Sequence, residues 1–562
     1  TMHMARGIRQ IFASLGIWSI FCCCPALAAP TTPPNAGAIL SEQKENLLPQ
    51  PVKPALRLEI DKQNETTPAV AGPKILVNRF HITGQTIYPE SELLMLVSES
   101  AGKELTLGEL QALARSVAKY FHKQGYLVAN AYIPAQQISD GVVEIAVVVG
   151  QYGKIDIRNH SGLRTSKIEE YLSNIKSGDT IQNSALEATL LLLSDVPGLS
   201  AKATLAAGAT GGTSDLIVDI SDTEKFSGLI FVDNAGNRYT GKNRLGAAVN
   251  VNNISGVGDL FSLGATYTGS GMNDYNISYT LPLGARGKIG ARYSQMHYLL
   301  GDDFADLSAN GLAKTTGIYT SYVFKRSRNF NLMGRVEYDS KDLIDQIDAT
   351  SSYSQKKVDA WVIGLNGSSR DQLWGGGVNY FGLSYTRGHL NLLSADAMTN
   401  DSNAQTAGDY GKTNFELSRI QALNNRLNLH LSLVGQLAGK NLDSSEKLQI
   451  GGPYGVRAYP VGEAASDAGY IFSGELRWNL PTPRFQVAAF YDHGVATLNK
   501  DPWTGSGQNL RVLGGAGIGL IWSRPGDYSL RLDYAWQTTT SEQAVSDSNS
   551  NGRFWLRATK FF

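Results

Sequence analysis

The residues best placed to do chemistry are charged groups set among glycines. In "GGPYGVRAYP", 451–460, Arg457 stands between Val456 and Ala458, with Tyr459 just beyond. Gly451, Gly452, Pro453 and Gly455 break regular structure around it. A guanidinium in so apolar a hairpin needs a partner, because an unpaired buried charge is costly. Two carboxylates downstream sit in ordered surroundings. Asp492 lies in "FYDHG", where Phe490, Asp492 and Gly494 share one face of a strand. Glu475 lies in "FSGELRWNL", on the face of Ser473, Arg477 and Asn479 and opposite Phe472, Leu476, Trp478 and Leu480. "LGGAGIGLIW" puts Gly515, Gly517 and Gly519 on one face and Ala516, Ile518, Leu520 and Trp522 on the other. Such a row of glycines either clears a groove or only eases the curvature of a sheet.

Other motifs lead to no chemistry. "GNRYTGKN", 236–243, approaches a phosphate-binding loop, but Asn243 stands where Ser or Thr belongs and no helix follows Lys242. "GGAGIG" lacks the dinucleotide-binding spacing and its parent βαβ unit. Asp492 and His493 point to opposite faces of a strand, so they form no catalytic dyad. The eight histidines show no metal-ligand spacing. Asn64-Glu65-Thr66 is a chance glycosylation triplet in a linker. With 50 basic and 50 acidic residues there is no net charge to draw nucleic acid. We expect no enzyme, no cofactor, no metal and no nucleic-acid partner.

The elements that must position Arg457 follow from the periodicities. Residues 1–28 carry Arg6 and Arg9, an apolar run from Ile11 to Cys24 and the small-x-small site Ala26-Leu27-Ala28, the pattern of a secretory signal cleaved after Ala28. Cys22, Cys23 and Cys24 all lie within it, so the mature chain would hold no thiol or disulfide. Residues 29–73 have linker composition, with one short helix expected in "NAGAILSEQKENLL", where Ile39, Leu47 and Leu48 are apolar. Residues 74–150 and 151–222 repeat one order, β-α-α-β-β. In the first unit Thr106 and Glu109 form a capping box, and Leu110, Leu113, Val117, Tyr120 and Phe121 line one helix face. Each unit leaves strand edges open.

From residue 225 to 562 the helical period gives way to alternation. In "DYSLRLDYAW", Tyr528, Leu530, Leu532, Tyr534 and Trp536 alternate with Asp527, Ser529, Arg531, Asp533 and Ala535. Aromatic and apolar residues on one face and charges on the other fit an outer-membrane barrel, lipid outside and water within; about 16 such segments make an even strand number. No stretch beyond the signal is long and apolar enough for a helical span, which leaves a closed β-barrel as the way across a membrane. The end "RFWLRATKFF" suits a final barrel strand, although Lys560 interrupts the face of Phe562.

Two POTRA-like units followed by this barrel resemble the outer-membrane transporters of two-partner secretion, the haemolysin and filamentous-haemagglutinin secretion-activation type. "VDNAGNRYTGKNRLG" resembles their first hairpin, "FYDHG" their Phe-x-Asp-x-Gly wall motif, and "GGPYGVRAYPVGE" their sixth loop, with Ala458 in place of a tip Gly. The resemblance implies 16 strands, a plug helix from the N-terminal segment, and a sixth loop at 440–469 folded back into the barrel. It implies ATP-independent export of a large secreted exoprotein by an outer-membrane monomer with periplasmic POTRA domains. A barrel-insertion factor of the same superfamily is the alternative, although such machines commonly carry more than two POTRA units. If the loop enters the lumen, the glycine face of Gly494, Gly515, Gly517 and Gly519 offers it room. Arg457 then meets Asp492, with Glu475 in reach, as a planar fork on a carboxylate. The loop is thereby expected to be held by a polar latch rather than by apolar packing.

Overall fold

The computed structural model describes residues 32–43, 57–60, 72–539 and 552–562. The expected signal segment, Leu47 and Leu48 lie outside them. Sixteen antiparallel strands close in sequence order, and the first, Phe226–Asp233, pairs with the last, Arg553–Phe561. The expected class, α+β units followed by an all-β barrel, is the one observed. Alternation decides which side chains meet lipid. Tyr534 and Trp536 stay exposed on the outer wall, whereas the alternating Asp533 and Ala535 are buried in the lumen. Lys560 keeps the outward parity of Phe554 and reaches Asp527 in the turn before Tyr528. Its interruption of the apolar face is thereby neutralised at the barrel rim.

The wall is uneven in length. The first three strands, Phe226–Asp233, Arg244–Asn252 and Leu260–Tyr267, have 8, 9 and 8 residues. Ala309–Arg326, Phe330–Ile347 and Ser352–Asp371 have 18, 18 and 20.

The first α/β unit stacks its helix Leu107–Lys123 on a three-stranded sheet, Arg79–Thr83, Val142–Val148 and Asn130–Tyr132. Thr106 and Glu109 form the capping box. Leu110, Val117 and Phe121 are buried, while Leu113 and Tyr120 pack at the margin. The opening strand "KILVNRFHITG" is split at Asn78, whose backbone N–H bonds to Gly141 O and whose amide bonds to Asp140 O. Its first half, Ile75–Val77, pairs instead with a strand that the periodicity did not announce, Lys103–Leu105.

The second unit packs helices Thr165–Leu172 and Asn183–Ser194 on Gln151–His160, Thr213–Asp222 and Leu199–Ala207. A fourth strand is added from the linker: Arg57–Ile60 runs parallel to Lys202–Leu205 and covers that edge. This unit sits against one end of the barrel. Arg164 N donates to Gly256 O at 2.9 Å, and Arg326 binds Asp195 at 2.6 and 3.0 Å. That end therefore faces the side from which the N-terminal units approach.

Candidate functional site

The connection between strands Leu427–Ala438 and Ala468–Asn479 starts at the opposite end and folds back into the lumen. Its hairpin tip brings Arg457 to the wall. Arg457 Nε donates to Asp492 Oδ2 at 2.8 Å, Nη2 to Asp492 Oδ1 at 2.8 Å, and the backbone N–H to Oδ2 at 3.1 Å. Nη1 donates to Glu475 Oε2 at 2.6 Å. The guanidinium lies flat on Phe490, 3.3 Å from the ring centre. Burial alone would make this cation harder to keep; Asp492, then Glu475, hold its pKa above the ordinary arginine value. Strand parity thus puts Asp492, Glu475 and Phe490 where the loop can use them.

Several partners were placed on the lumen face by parity or not at all, and none was tied to Arg457 by the sequence. Ser473 Oγ bridges Asp492 Oδ1 at 2.7 Å and accepts from Arg457 Nη2 at 3.2 Å. Trp555 Nε1 donates to Arg457 O at 2.7 Å. Arg531 and Arg477 also grip Glu475, at 2.7 and 2.6 Å. Parity placed Arg477 and Arg531 in the lumen, but the sharing of Glu475 depends on strand neighbours that sequence does not order.

The glycine face divides its labour. A Cβ at Gly494 would fall 2.5 Å from Ile450, and one at Gly515 would fall 2.6 Å from the Ala458 methyl, so these two admit the loop. Ala458 is not among the positive-φ residues, and its methyl uses the space that Gly515 leaves. Gly517 instead makes room for the Phe490 ring beneath Arg457. Gly519 faces Asp533 and does not meet the loop.

The expectation of polar attachment without apolar packing is corrected. Val456, Ala458, Tyr459, Leu448 and Ile450 form a buried cluster with Ile471, Phe490, Ala496 and Leu513 of the wall. The lumen wall on strands Ala468–Asn479, Phe485–Thr497 and Leu510–Arg524 presents these apolar side chains inward beside the charges, so the hairpin docks on both.

A second clamp holds the stem of the loop. In the short turn Ser444–Glu446, Glu446 meets Lys341 at 2.5 Å and Lys412 at 2.8 Å. Asp443 meets Lys356, and Lys447 meets Asp467 at 2.9 Å. Burial would raise the Glu446 carboxyl, but Lys341 and Lys412 hold it down at about 2. No spacing linked Lys341, Lys356 and Lys412 to the loop, because they come from three distant strands.

The helix Ala36–Glu42 docks on this same turn. Asn35 caps it, accepting from Ala38 N–H at 2.9 Å, and its Oδ1 also accepts from Ser444 Oγ at 2.6 Å. A Cβ at Gly37 would lie 2.8 Å from Ser445 N, so only glycine allows this approach. Ile39 is fully buried with Tyr239, Met272, Met296, Tyr298 and Leu343. Gln449 donates to Ser41 at 2.6 Å, and Asn237 donates to both Glu42 carboxylate oxygens at 2.9 and 2.8 Å. Burial pushes the Glu42 carboxyl up to about 8, against the opposing pull of the Asn237 bonds.

A closed barrel with two α/β units at one end, and with a loop and a helix inside it, has the architecture of an outer-membrane transporter. The haemolysin secretion/activation protein ShlB/FhaC/HecB family matches residues 212–521, and the ShlB-type POTRA domain matches residues 75–150. The heme/hemopexin transporter protein HuxB of Haemophilus influenzae is 30% identical over 546 residues, 94% of this chain and 95% of that protein. The outer membrane transporter CdiB of Dickeya dadantii is 22% identical over 73% of both chains. Among solved structures, CdiB from Escherichia coli superposes with a TM-score of 0.67 at 19% identity, over 89% of this chain and 93% of that one, a likeness of fold. The chain belongs to the ShlB/FhaC/HecB secretion family. It is an outer-membrane export protein with periplasmic POTRA units, and the barrel-insertion alternative is set aside.

Proposed function

We propose that an unfolded secreted exoprotein is captured by a POTRA edge strand and exported through this lumen after the plug helix and the sixth loop withdraw. The carrying observation is the interlocked filling: the Ala36–Glu42 helix and the loop rest on each other and on the wall. Backbone pairing with an edge gives capture that tolerates many sequences. The edge at Leu199–Ala207 already accepts a short extended segment, Arg57–Ile60, which supports its competence for a foreign strand. Arg457, Asp492 and Glu475 act as the latch that returns the loop to its seat. Direction comes from folding of the exoprotein outside, as no nucleotide is used.

The test is conductance. Removal of residues 29–43 should raise the ion conductance of the barrel in planar bilayers several-fold. Unchanged conductance would show that the helix does not occlude the pore in the membrane.

A further inference from the structure

We propose that Arg387 holds a phosphate group of an outer-leaflet glycolipid, the phosphorylated glucosamine headgroup of lipid A, against the outer wall of the barrel.

Strand Gly377–Leu392 runs outward from the end at which the POTRA units sit. On its lipid-facing side Leu383 and Tyr385 are followed by Arg387 and His389. Tyr385 is 52% exposed. Arg387 stands directly opposite Trp361 on one neighbouring strand and opposite Gly411 on the other. Trp361 is 54% exposed, with its ring 5.0 Å from that of Tyr338. Aromatic residues of this kind mark the level of the headgroups. Below them, Ile363, Leu365 and Leu383 continue the apolar wall. Arg387 is therefore at the outer edge of the hydrocarbon layer, not beyond it.

The neighbouring polar groups are engaged with one another. His389 Nδ1 lies 2.6 Å from Asp409, Lys357 lies 3.8 Å from Asp359, and Lys440 Nζ donates to Ala407 O at 2.6 Å. Among the described residues Arg387 makes no hydrogen bond and no ion pair. An exposed guanidinium on a lipid-facing wall, bonded to no carboxylate and sharing the field of Asp409 with Lys440, is best complemented by an anion that the membrane itself supplies. Its planar fork suits two phosphate oxygens. Arg387 and Lys440 both act on Asp409, so two cations share one carboxylate that His389 already bonds, and the patch keeps a positive surplus.

The wall also offers a surface for the remainder of the lipid. At Gly411 a Cβ would fall 2.7 Å from Tyr385 Oη, so the tyrosine ring lies across the glycine directly beside Arg387. That ring and the Trp361 ring stand on the two sides of Arg387 and offer apolar faces to a sugar and the upper part of an acyl chain. A free phosphate ion gains nothing from such faces, which is why the occupant is assigned as a lipid.

The experiment measures binding to the purified full-length barrel in detergent, by native mass spectrometry. The probes are bis-phosphorylated lipid A, its dephosphorylated form and inorganic phosphate. Bis-phosphorylated lipid A should bind the unaltered barrel more tightly than the dephosphorylated form. Arg387→Gln should weaken it by about fivefold, the worth of one cation near a charged lipid surface. Arg387→Lys should restore part of the loss, and Lys560→Gln, at the other rim, should restore or remove none. Folding of each variant is checked by heat-modifiable mobility in gels. Equal binding of both lipid forms, or an unchanged affinity in a folded Arg387→Gln barrel, would overturn the proposal. Displacement of lipid A by millimolar inorganic phosphate would overturn the assignment to a lipid.

Discussion

Arg457 has more partners than its charge requires. Asp492 takes three of its N–H groups, Glu475 a fourth, and Phe490 its face. Removing one member of a buried pair costs about 3–5 kcal/mol, because the survivor is left uncompensated. Arg457→Ala and Asp492→Ala should each lower the amount of exoprotein in the medium at equal barrel abundance. The double variant should be little worse than either, since residues acting as one unit are not additive. Arg457→Lys should rescue in part, for lysine lacks the fork. Additive single defects would show that the two residues act separately. The pairing of Arg457 with a carboxylate was legible because parity fixes which face Asp492 and Glu475 occupy. The role of Phe490 as a platform was not, since that ring reaches Arg457 only through the gap at Gly517. Nor was the apolar seat of Val456 and Tyr459 foreseen; it depends on Ile471 and Leu513, whose lumen-facing parity looks like that of any half-buried strand.

At the scale of elements, the loop and the helix form one assembly joined at Ser444, Ser445 and Gln449. Loss of the stem clamp should therefore loosen both. Glu446→Gln leaves Lys341 and Lys412 buried without their carboxylate and should raise resting conductance in planar bilayers. Gly37→Ala, which touches no charge, should do the same through the collision with Ser445 N. Conductance unchanged in both would disconnect the turn from gating.

The two buried carboxylates respond to pH in different ways. Glu446 is held at about 2, so the clamp stays charged at any pH that the cell surface meets. Glu42 is raised from 4.5 to about 8 when docked, so docking favours its protonated form. Docking is strongest below about pH 4.5 and weakens as pH rises toward and through 8. Charges beside this end of the helix are paired: Arg244, which reaches Gln43, with Asp233 at 2.8 Å, and Glu463, next to Gly462 at the Glu42 carboxylate, with Arg511 at 3.0 Å. Opening frequency should rise between pH 6 and pH 9, and Glu42→Gln should flatten that rise. The helix was visible in the sequence only as a short apolar pattern, because its docking residues, Asn35, Gly37 and Ser41, are small and polar.

For the whole molecule, the change of period near residue 225 separates units with different folding requirements. A fragment of residues 74–222 should be soluble and give a circular dichroism spectrum of mixed helix and strand; an all-β spectrum would contradict its two helix-bearing sheets. The same fragment begun at residue 57 should melt higher, because it regains the strand Arg57–Ile60.

The unequal strands have a further consequence, for the path of the emerging chain. Twenty residues at about 3.3 Å each make a strand of about 66 Å, or about 50 Å of height at a 40° tilt. The apolar band it must cross is about 25 Å tall. On Ser352–Asp371 the continuous exposed apolar run is Trp361, Ile363 and Leu365, with Tyr353 alone above it, so the nine residues before Trp361 stand above the lipid. The strands of 8 and 9 residues next to the closing seam have no such surplus. The mouth is thus a spout with one high lip and one low, and we expect a polypeptide leaving it to turn toward the low side, where it can begin to fold without rising over the wall.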